Sequence, residues 1–282
     1  MAEMGRSLAY REAASPGMRL RALARHAARS RLTGVGLIVA LLVLWELSAL
    51  YWVGSQSWPP LTAVFEALIE GIRSGELFDI FGSSLYRLAV GYAVGVAAAL
   101  GVGLLMATVR VAYLALEPLV ELLRPIPIPA IVPPLILLLG IDDALKIFIV
   151  GFAAFFPVLV NTIGGVRAVD PVAINVARTL RVGRLRTVTR VVLPASLPYV
   201  MAGMRISLAL ALIVTVVAEM IAGSEGIGYY LMTMQYAMRA ADMYAAILVL
   251  AAVGYALNRG SLAVERRLLH WYLAAEAAGE TR

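Results

Sequence analysis

The chain has 282 residues, of which 61% are apolar and only 15% are charged. Ordinary soluble domains carry about 25% charged residues, so this composition excludes a soluble globular protein and predicts an integral membrane protein. The absence of cysteine excludes disulfides, thiolate metal sites and a cysteine nucleophile, and the net charge of +6 comes from arginines that concentrate in particular loops rather than from a nucleic-acid-binding surface.

The first 33 residues hold seven arginines and no long apolar run. We expect this segment to be a basic cytoplasmic N-terminal region, either a short amphipathic helix on the inner leaflet or a basic tail without structure. The apolar run over residues 34–53 has 20 residues, which as a helix span about 30 Å, the thickness of the hydrocarbon core. Residues 34–56 are therefore predicted to form a first transmembrane helix rather than a cleavable signal peptide.

Five further apolar runs predict a core of five transmembrane helices within residues 57–265, which makes the chain an all-α membrane protein with about six spans. The runs cover residues 85–109, 120–139, 145–166, 197–221 and 243–257. The run over residues 120–139, the third of the six predicted spans, is the least helix-like, because five prolines lie within residues 125–134. Irregular backbone at membrane depth is tolerated only inside protein or along a cavity, so we expect this stretch to face a polar pathway or the packed core.

The arginines divide the connecting segments into two classes. If the N-terminus lies inside, the inner segments 1–33, 110, 167–195 and 259–282 hold seven, one, six and four arginines. The outer segments 54–83, 140–146 and 222–242 hold one basic residue each, beside several acids. Because positive charge accumulates on the cytoplasmic side of membrane proteins, this pattern predicts that both termini, including the tail 266–282, and the loop 167–195 are cytoplasmic.

Residues 167–195, which we call the basic loop, carry the densest positive charge of the core. Asp170 followed by Pro171 predicts a helix start, since aspartate caps a helix and proline fits its first turn. Gly183 offers a break before a second short helix, and we expect Leu193–Pro194 to close the loop because proline cannot continue the hydrogen-bond ladder. The pattern of two basic helices joined by a bend predicts a surface that binds a partner protein. The alternative is a loop whose positive charge only sets the orientation of the chain in the membrane.

The basic loop resembles the cytoplasmic loop of the membrane subunits of ATP-binding-cassette (ABC) importers. That loop follows the pattern E-A-A, three residues, G, nine residues, I-x-L-P. When Leu193–Pro194 is placed on the last two positions, Ala177 falls on the second alanine and Val191 on the isoleucine. The chain departs from the pattern at the glutamate, the first alanine and the glycine, which are replaced by Asn175, Val176 and Arg181. We interpret Gly183, two residues after the expected glycine, as the bend.

Other stretches match the same family in order and spacing, and the match covers residues 57–265. They include residues 84–92, 124–134, 155–171, 202–205 and 218–229. The runs 177–180 and 191–194 are most similar to the branch that carries nitrate, sulfonates, taurine and bicarbonate. The resemblance implies a type I ABC importer permease fold in the bacterial inner membrane, and a pathway for a small anionic or polar solute.

The resemblance also implies partners and a contact surface. The expected partners are a second copy of the permease, two ATPase subunits that bind ATP and Mg²⁺, and an extracytoplasmic solute-binding protein; this chain itself is expected to bind no cofactor and no nucleic acid. Ala177 is expected to be small enough for close approach of the ATPase. The residues implied to form the contact are Asn175, Ala177, Arg178, Thr179, Leu180, Arg181, Gly183, Arg184, Leu193 and Pro194.

Sites for catalysis are not indicated by the sequence. The two histidines lie in opposite terminal segments, and no G-x-x-x-x-G-K-[S/T] motif occurs, since the only lysine is Lys146. ATP hydrolysis is therefore expected on a separate chain. The neighbouring acids Asp142 and Asp143 are interpreted as a solvated turn.

Ionisable and polar residues within the spans are few, and such residues usually face a pathway or each other. Glu117, Glu121 and Arg124 share one helical face, and the simpler alternative to a pathway role is that they pair with one another. For Asn161 the alternative to a pathway role is a hydrogen bond to a neighbouring helix. Glu219 is either a gate or docking residue or a helix-end charge in water. The candidates for lining the pathway are Arg87, Arg124, Pro127, Asn161, Arg205 and Glu219.

An ion-gradient-driven secondary transporter is the alternative function. It predicts an inverted repeat and intramembrane carboxylates for ion coupling. No internal repeat is found, and carboxylates in the middle of the spans are scarce. A membrane-embedded enzyme is disfavoured by the absence of cysteine and of a histidine cluster.

Overall fold

The computed structural model describes residues 31–272, and every regular element in this range is helical. The predicted basic segment 1–33 and the tail 266–282 therefore lie largely or partly outside the described residues. A π-helical turn, Ala49–Val53, continues the helix Arg31–Ser48, and another, Val188–Val192, joins the helices Arg184–Thr187 and Leu193–Ala222. The α-helices are α1 (Arg31–Ser48), α2 (Leu61–Arg73), α3 (Glu76–Thr108), α4 (Arg110–Leu123), α5 (Ile128–Leu139), α6 (Asp143–Arg167), α7 (Pro171–Thr179), α8 (Arg184–Thr187), α9 (Leu193–Ala222), α10 (Ile227–Tyr236) and α11 (Ala240–Leu268).

The chain divides into two compact units, residues 1–64 and 65–282. The described part of the first unit contains an apolar helix, Thr33–Val53, that is long enough to cross a membrane. Two polar side chains near the C-terminal end of this helix form hydrogen bonds with residues that follow it. The Trp45 indole donates to the Pro59 carbonyl at 3.1 Å, and Glu46 accepts hydrogen bonds from the amide and hydroxyl of Thr62 at 3.2 and 2.9 Å.

In the second unit α6 is the central helix and packs between α3 and α9. Small residues allow this close packing, as is common in membrane bundles. A Cβ on Gly95 of α3 would lie 2.3 Å from the carbonyl oxygen of Gly151 in α6, so the two backbones are in direct contact. On the other face of α6, a Cβ on Gly203 of α9 would lie 2.6 Å from the Cβ of Asn161.

Five described helices are long and apolar enough to cross a membrane, and they confirm five of the six predicted spans. They are Thr33–Val53, Glu76–Thr108, Asp143–Arg167, Arg184–Ala222 and Ala240–Leu268. Several are longer than their apolar runs: α3 has 33 residues, about 50 Å, because polar and charged residues extend it beyond the hydrocarbon core.

The third predicted span is not one helix. The irregular backbone expected within residues 120–139 is confirmed, because α4 and α5 meet at an angle of 101°. Pro125 and Pro127 lie at the junction, and proline lacks the amide hydrogen that would continue α4. Counted as one broken span, the pair brings the total to six.

Candidate functional site

The basic loop begins as the sequence predicts. The Asp170 carboxylate accepts a hydrogen bond from the Val172 amide at 2.8 Å, and Pro171 occupies the first turn of α7. This cap satisfies one of the amide groups that the first turn leaves without a partner. The predicted helix start is confirmed.

The bend of the basic loop lies at Arg181, not at Gly183. Arg181 adopts a left-handed conformation with φ of 54°, whereas Gly183 has an extended backbone with φ of −60° and ψ of 151°. The Val182 amide donates to the Ala177 carbonyl and the Arg181 amide to the Arg178 carbonyl, both at 2.9 Å. This pair of bonds is a Schellman motif, which requires a left-handed residue just after the helix. Because α7 ends at Thr179, that position falls on Arg181, where the family pattern has glycine.

Leu193–Pro194 does not close the loop, so that prediction is also wrong. From Arg184 to Ala222 the backbone is one helical segment of 39 residues, which we call the long helix. The Leu193 amide donates to the Val188 carbonyl five residues back, in the π-helical turn Val188–Val192. This wider turn gives room for the proline ring, and Pro194 lies in the first turn of α9.

The outer surface of the basic loop consists of arginines and a few apolar side chains. The side chains of Asn175, Arg178, Thr179, Arg181, Arg184 and Leu193 are exposed, and the hydrophobic residues Leu180 and Leu185 are 71% and 78% exposed. Ala177 is only 5% exposed. The expectation that Ala177 admits a partner is therefore corrected, because its small side chain packs inside the loop.

A second polar site lies at the other end of the long helix, around Arg87 of α3. The Arg87 Nε donates to Asp143 of α6 at 2.6 Å, and Nη1 donates to Glu219 at 2.9 Å and to the Glu225 carbonyl at 3.2 Å. Nη2 donates to the Glu225 carboxylate. The guanidinium is thus bonded by all three nitrogens although its side chain is 1% exposed. We call this site the Arg87 cluster: Ser84, Arg87, Asp143, Lys146, Glu219 and Glu225.

Glu219 is the fully buried acid of the cluster, with no exposed side-chain surface. Besides Arg87, its oxygens accept from the Ser84 hydroxyl at 2.8 and 2.9 Å and from the Gly228 amide at 3.1 Å. The Ser84 hydroxyl also accepts from the Ile227 amide at 2.8 Å. A buried carboxylate is stable only when paired and hydrogen-bonded, and Glu219 has both kinds of partner.

The turn between α9 and α10 is shaped around the Glu219 carboxylate. Gly226 has φ of 99°, a conformation open essentially to glycine, and a Cβ there would lie 2.4 Å from the carboxylate. A Cβ on Gly228 would lie 2.2 Å from the Val216 carbonyl oxygen of α9. The run from Gly223 to Gly228 therefore lets the amides of α10 approach an acid at the end of α9.

The structure brings together two of the predicted pathway residues, Arg87 and Glu219, and encloses both side chains. The interpretation of Glu219 as a helix-end charge in water is wrong. The interpretation of Asp142 and Asp143 as a solvated turn is wrong for Asp143, which is half exposed but bonds Arg87. Sequence reasoning missed Ser84, Lys146 and Glu225. The glycines at positions 223, 226 and 228 are the sequence signal that could have indicated a close approach of the backbone to Glu219.

Lys146, the only lysine, completes the cluster. Its side chain is 1% exposed, and its Nζ lies 4.0 Å from the Asp143 carboxylate, at the limit of an ion pair. With Arg87 it provides two positive charges against the three carboxylates of the cluster. Two of these carboxylates, those of Asp143 and Glu225, also reach solvent.

The remaining pathway candidates lie apart from the Arg87 cluster. Arg205 pairs with Glu265 of α11 at 3.3 Å, and both side chains are partly exposed. Asn161 donates to the carbonyl of Pro157 in its own helix at 2.8 Å, so the alternative of an interhelical hydrogen bond is wrong. Arg124 and Pro127 are exposed at the junction of α4 and α5.

The expected pairing of Arg124 with the acids of α4 is not observed. Within residues 31–272 no ion pair joins Arg124 to Glu117 or Glu121, and Glu117 instead accepts a hydrogen bond from Tyr113. Tyr113 in turn lies under the Arg167 guanidinium, 3.9 Å from the ring centroid. A cation over an aromatic face is a favourable contact, and it connects α4 to the start of the basic loop.

The pKa values of two ionisable side chains, one in α10 and one just after it, are raised for different reasons. Burial raises the pKa of Tyr230 in α10 to about 12, and Glu76 and Asp242 act in the same direction. The hydrogen bond to Asp242 raises the pKa of Arg239. Tyr230 is therefore protonated and neutral over the physiological range.

Further cavities lie on the described surface, and one of them is polar: a pocket of about 350 Å³ is lined by residues that include Glu76, Asp79 and Glu225. A groove of about 710 Å³ between α3, α4 and α6 is lined only by apolar residues, among them Ala98, Leu119 and Phe152. No group of three or more His, Asp or Glu side chains that could hold a metal occurs within residues 31–272.

Comparison with known sequences identifies the family. Residues 91–270 match the model of the family described as binding-protein-dependent transport system inner membrane component. The SsuC permease protein of Bacillus subtilis strain 168, whose name assigns it to aliphatic sulfonates, is 34% identical over 84% of this chain and 87% of its own length. The taurine transport system permease protein TauC of Escherichia coli K12 is 30% identical over 84% and 88%. The nitrate import permease protein NrtB of Leptolyngbya laminosa is 32% identical over 64% and 65%.

Comparison with solved structures confirms the fold. An inward-facing structure of the MetNI methionine ABC transporter superimposes with a TM-score of 0.59, at 18% identity, over 66% of this chain and 92% of that chain. An amino acid ABC transporter crystallised with histidines superimposes with a TM-score of 0.57, at 14% identity, over 70% and 95%. The relatives select the ABC importer over the ion-gradient-driven transporter, and in such importers a separate chain hydrolyses ATP. The chain therefore belongs to the family of binding-protein-dependent transport system inner membrane components, and it is a non-catalytic permease subunit of an ABC importer.

Proposed function

We propose that the basic loop is the cytoplasmic contact for one ATPase subunit, which carries ATP and Mg²⁺. The observation that carries this proposal is the exposure of Leu180 and Leu185 on a rigid helix–bend–helix surface. A loop that served only to set orientation would need charge alone, whereas exposed leucines among arginines are typical of a protein interface. The arginines at positions 178, 181, 184, 186 and 190 surround them.

The test exchanges exposed leucines for aspartate. In Leu180→Asp and Leu185→Asp variants we expect the amount of ATPase subunit that co-purifies with the permease to fall about tenfold, because apolar anchors dominate interface affinity. Leu268→Asp is the matched control, since Leu268 is also an exposed leucine, at the end of α11. Full ATPase retention in both loop variants would contradict the proposal.

We further propose that both termini and the basic loop are cytoplasmic. The support is the arginine distribution together with the number of spans. If the bent pair α4–α5 did not cross, the basic loop would lie outside with its six arginines, against the positive-inside rule. The chain has no cysteine, so single cysteines are clean probes. We expect an impermeant maleimide to label Gln235→Cys but not Arg184→Cys in intact cells; the reverse pattern would overturn this orientation.

For the cargo we propose a small sulfonate or a related anion, delivered by a solute-binding protein to a pathway between two copies of this chain. The support is the similarity to permeases named for aliphatic sulfonates, taurine and nitrate. Calorimetric titration of the purified cognate binding protein with taurine, alkanesulfonates, nitrate and bicarbonate tests the cargo. Binding of none of these anions would refute the cargo class and leave the permease assignment intact.

The junction 124–134 is our candidate for the pathway wall, with Arg205 and Asn161 as further candidates. Its support is that the junction interrupts a candidate span and is exposed in the single chain, and irregular backbone within a bilayer must be covered by protein or line a cavity. A structure of the assembled permease with this junction against acyl chains would contradict the assignment.

A further inference from the structure

The basic loop and the Arg87 cluster are opposite ends of one helical segment. The long helix runs for 39 residues, about 58 Å, from Arg184 in the loop to Ala222, three residues after Glu219. Its π-helical turn, Val188–Val192, lies within the basic loop, and the 30 residues from Leu193 to Ala222 are continuous α-helix. A displacement of the loop therefore reaches the cluster through a single stiff element.

At the cluster, the long helix is bonded to three other elements through one carboxylate. Glu219 binds Ser84 and Arg87 of α3 directly and the Gly228 amide at the start of α10. Through Arg87 the connection continues to Asp143 in the first turn of α6. Ser84, Arg87 and Glu219 are all buried, so water does not compete for these bonds.

Hydrogen bonds of this kind add something that apolar packing does not supply. Apolar contacts are not directional, and packed helices slide past one another in shear motions. Buried charge-assisted hydrogen bonds depend on distance and angle, and a slide that broke them would leave charges without partners. The cluster therefore fixes the ends of these helices relative to each other more firmly than the surrounding leucines and alanines do.

We propose that Glu219 and Arg87 are positioning residues that lock α3, α6 and α10 to the long helix, so that movement imposed at the basic loop shifts this end of the permease as one body. This inference rests on the proposed contact between the basic loop and the ATPase. The lock turns motion of one helix into rearrangement of the α9–α10 turn and of α10, about 50 Å from Arg184. Without it the long helix moves and its neighbours do not follow.

The test uses a cysteine at Gln235, an exposed position in α10, in the permease assembled with its ATPase subunits in lipid nanodiscs. The rate of labelling by a maleimide is measured with and without a non-hydrolysable ATP analogue. In the parent we expect the nucleotide to change this rate. In the Glu219→Gln variant we expect ATPase retention and ATP hydrolysis to persist while the nucleotide-dependent change in rate falls about tenfold.

Glu265→Gln is the matched control, because it removes the partly exposed ion pair between α11 and Arg205 of the same long helix. We expect its nucleotide response to equal that of the parent. A double variant, Arg87→Met with Glu219→Gln, removes both charges of the buried Arg87–Glu219 pair and leaves neither without its partner, so that it remains folded where the single variant fails to fold. It is expected to be as unresponsive as Glu219→Gln.

The outcomes separate the two proposals. Loss of the nucleotide-dependent change in labelling rate in the cluster variants, with the ATPase still bound, supports the lock. An unchanged response in Glu219→Gln or in the double variant overturns it, and so does a parent that binds ATPase but shows no response at Gln235→Cys. Failure of the ATPase to bind the parent at all refutes the proposed role of the basic loop instead.

Discussion

The two ends of the long helix use arginine in opposite ways. At the basic loop, arginines project into solvent from two short helices and are free of any ion pair among the described residues. At the other end a single arginine, Arg87, is 1% exposed and bonds Asp143, Glu219 and Glu225. An exposed arginine costs the fold little and remains available to a partner, whereas a buried one must be satisfied inside the chain and then determines its geometry.

The largest expected effect is the removal of Arg87. Arg87→Leu leaves Glu219 buried without its counter-ion, and breaking a buried pair in this way costs about 3–5 kcal/mol. Arg178→Leu in the basic loop is the matched change of an exposed arginine, and we expect it to alter stability by no more than about 0.5 kcal/mol. Thermal unfolding of the two purified variants checks the difference. Equal melting temperatures would show that the two environments do not differ energetically.

A glycine exchange tests the geometry of the two ends. Gly226→Ala places a Cβ 2.4 Å from the Glu219 carboxylate at a φ of 99°, so we expect a loss of about 2 kcal/mol. Gly183→Ala in the basic loop meets no atom within 4 Å at an ordinary φ, and we expect no loss of stability. Denaturation of both variants in detergent provides the comparison. Destabilisation by Gly183→Ala instead would restore Gly183 as the bend of the loop.

Burial of Tyr230, in the helix that begins beside the Arg87 cluster, makes the stability of the chain sensitive to alkaline pH. The pKa of Tyr230 is about 12 in the folded chain, mainly because of burial, against about 10 when unfolded. A raised pKa means that the contribution of Tyr230 to stability is complete below pH 10 and is lost as the pH rises towards 12. At pH 11 the loss is about 1.4 kcal/mol. The free energy of unfolding, measured at pH 9 and pH 11, should fall by this amount in the parent but not in Tyr230→Phe. An equal change in the two proteins would contradict the burial of the phenol.

The smallest expected effect concerns the bend of the basic loop. Arg181 holds a left-handed conformation that costs an ordinary residue about 1 kcal/mol and glycine nothing, so Arg181→Gly should stabilise the end of α7 by that amount. Arg178→Gly, inside α7, should instead destabilise the helix by about 1 kcal/mol. Hydrogen exchange of the α7 amides distinguishes the two. Faster exchange in Arg181→Gly would show that the arginine side chain itself maintains the bend.

The two ends also differ in how much of them could be predicted. The helix start at Asp170–Pro171 follows from local chemistry alone, since a side chain caps amides two residues away. The position of the bend could not be predicted, because it depends on the residue at which α7 ends. The left-handed residue lies two positions after Thr179, the last residue of α7, and is therefore Arg181 rather than Gly183. The clusters of charge around Arg87 could not be paired from the sequence, because Glu219 lies 132 positions from Arg87 and 135 from Ser84.

By itself the sequence determined the class of the protein, five of its membrane helices and the position of the basic loop, because hydrophobic length, charge distribution and capping act over one or two helical turns. It also carried the family resemblance that the comparisons confirmed. Only the tertiary structure decided the angle at which α4 and α5 meet, that Ala177 faces inward, and that Arg87 and Glu219 meet. These features depend on which helices touch, and a buried charge finds its partner only when distant helices have packed together.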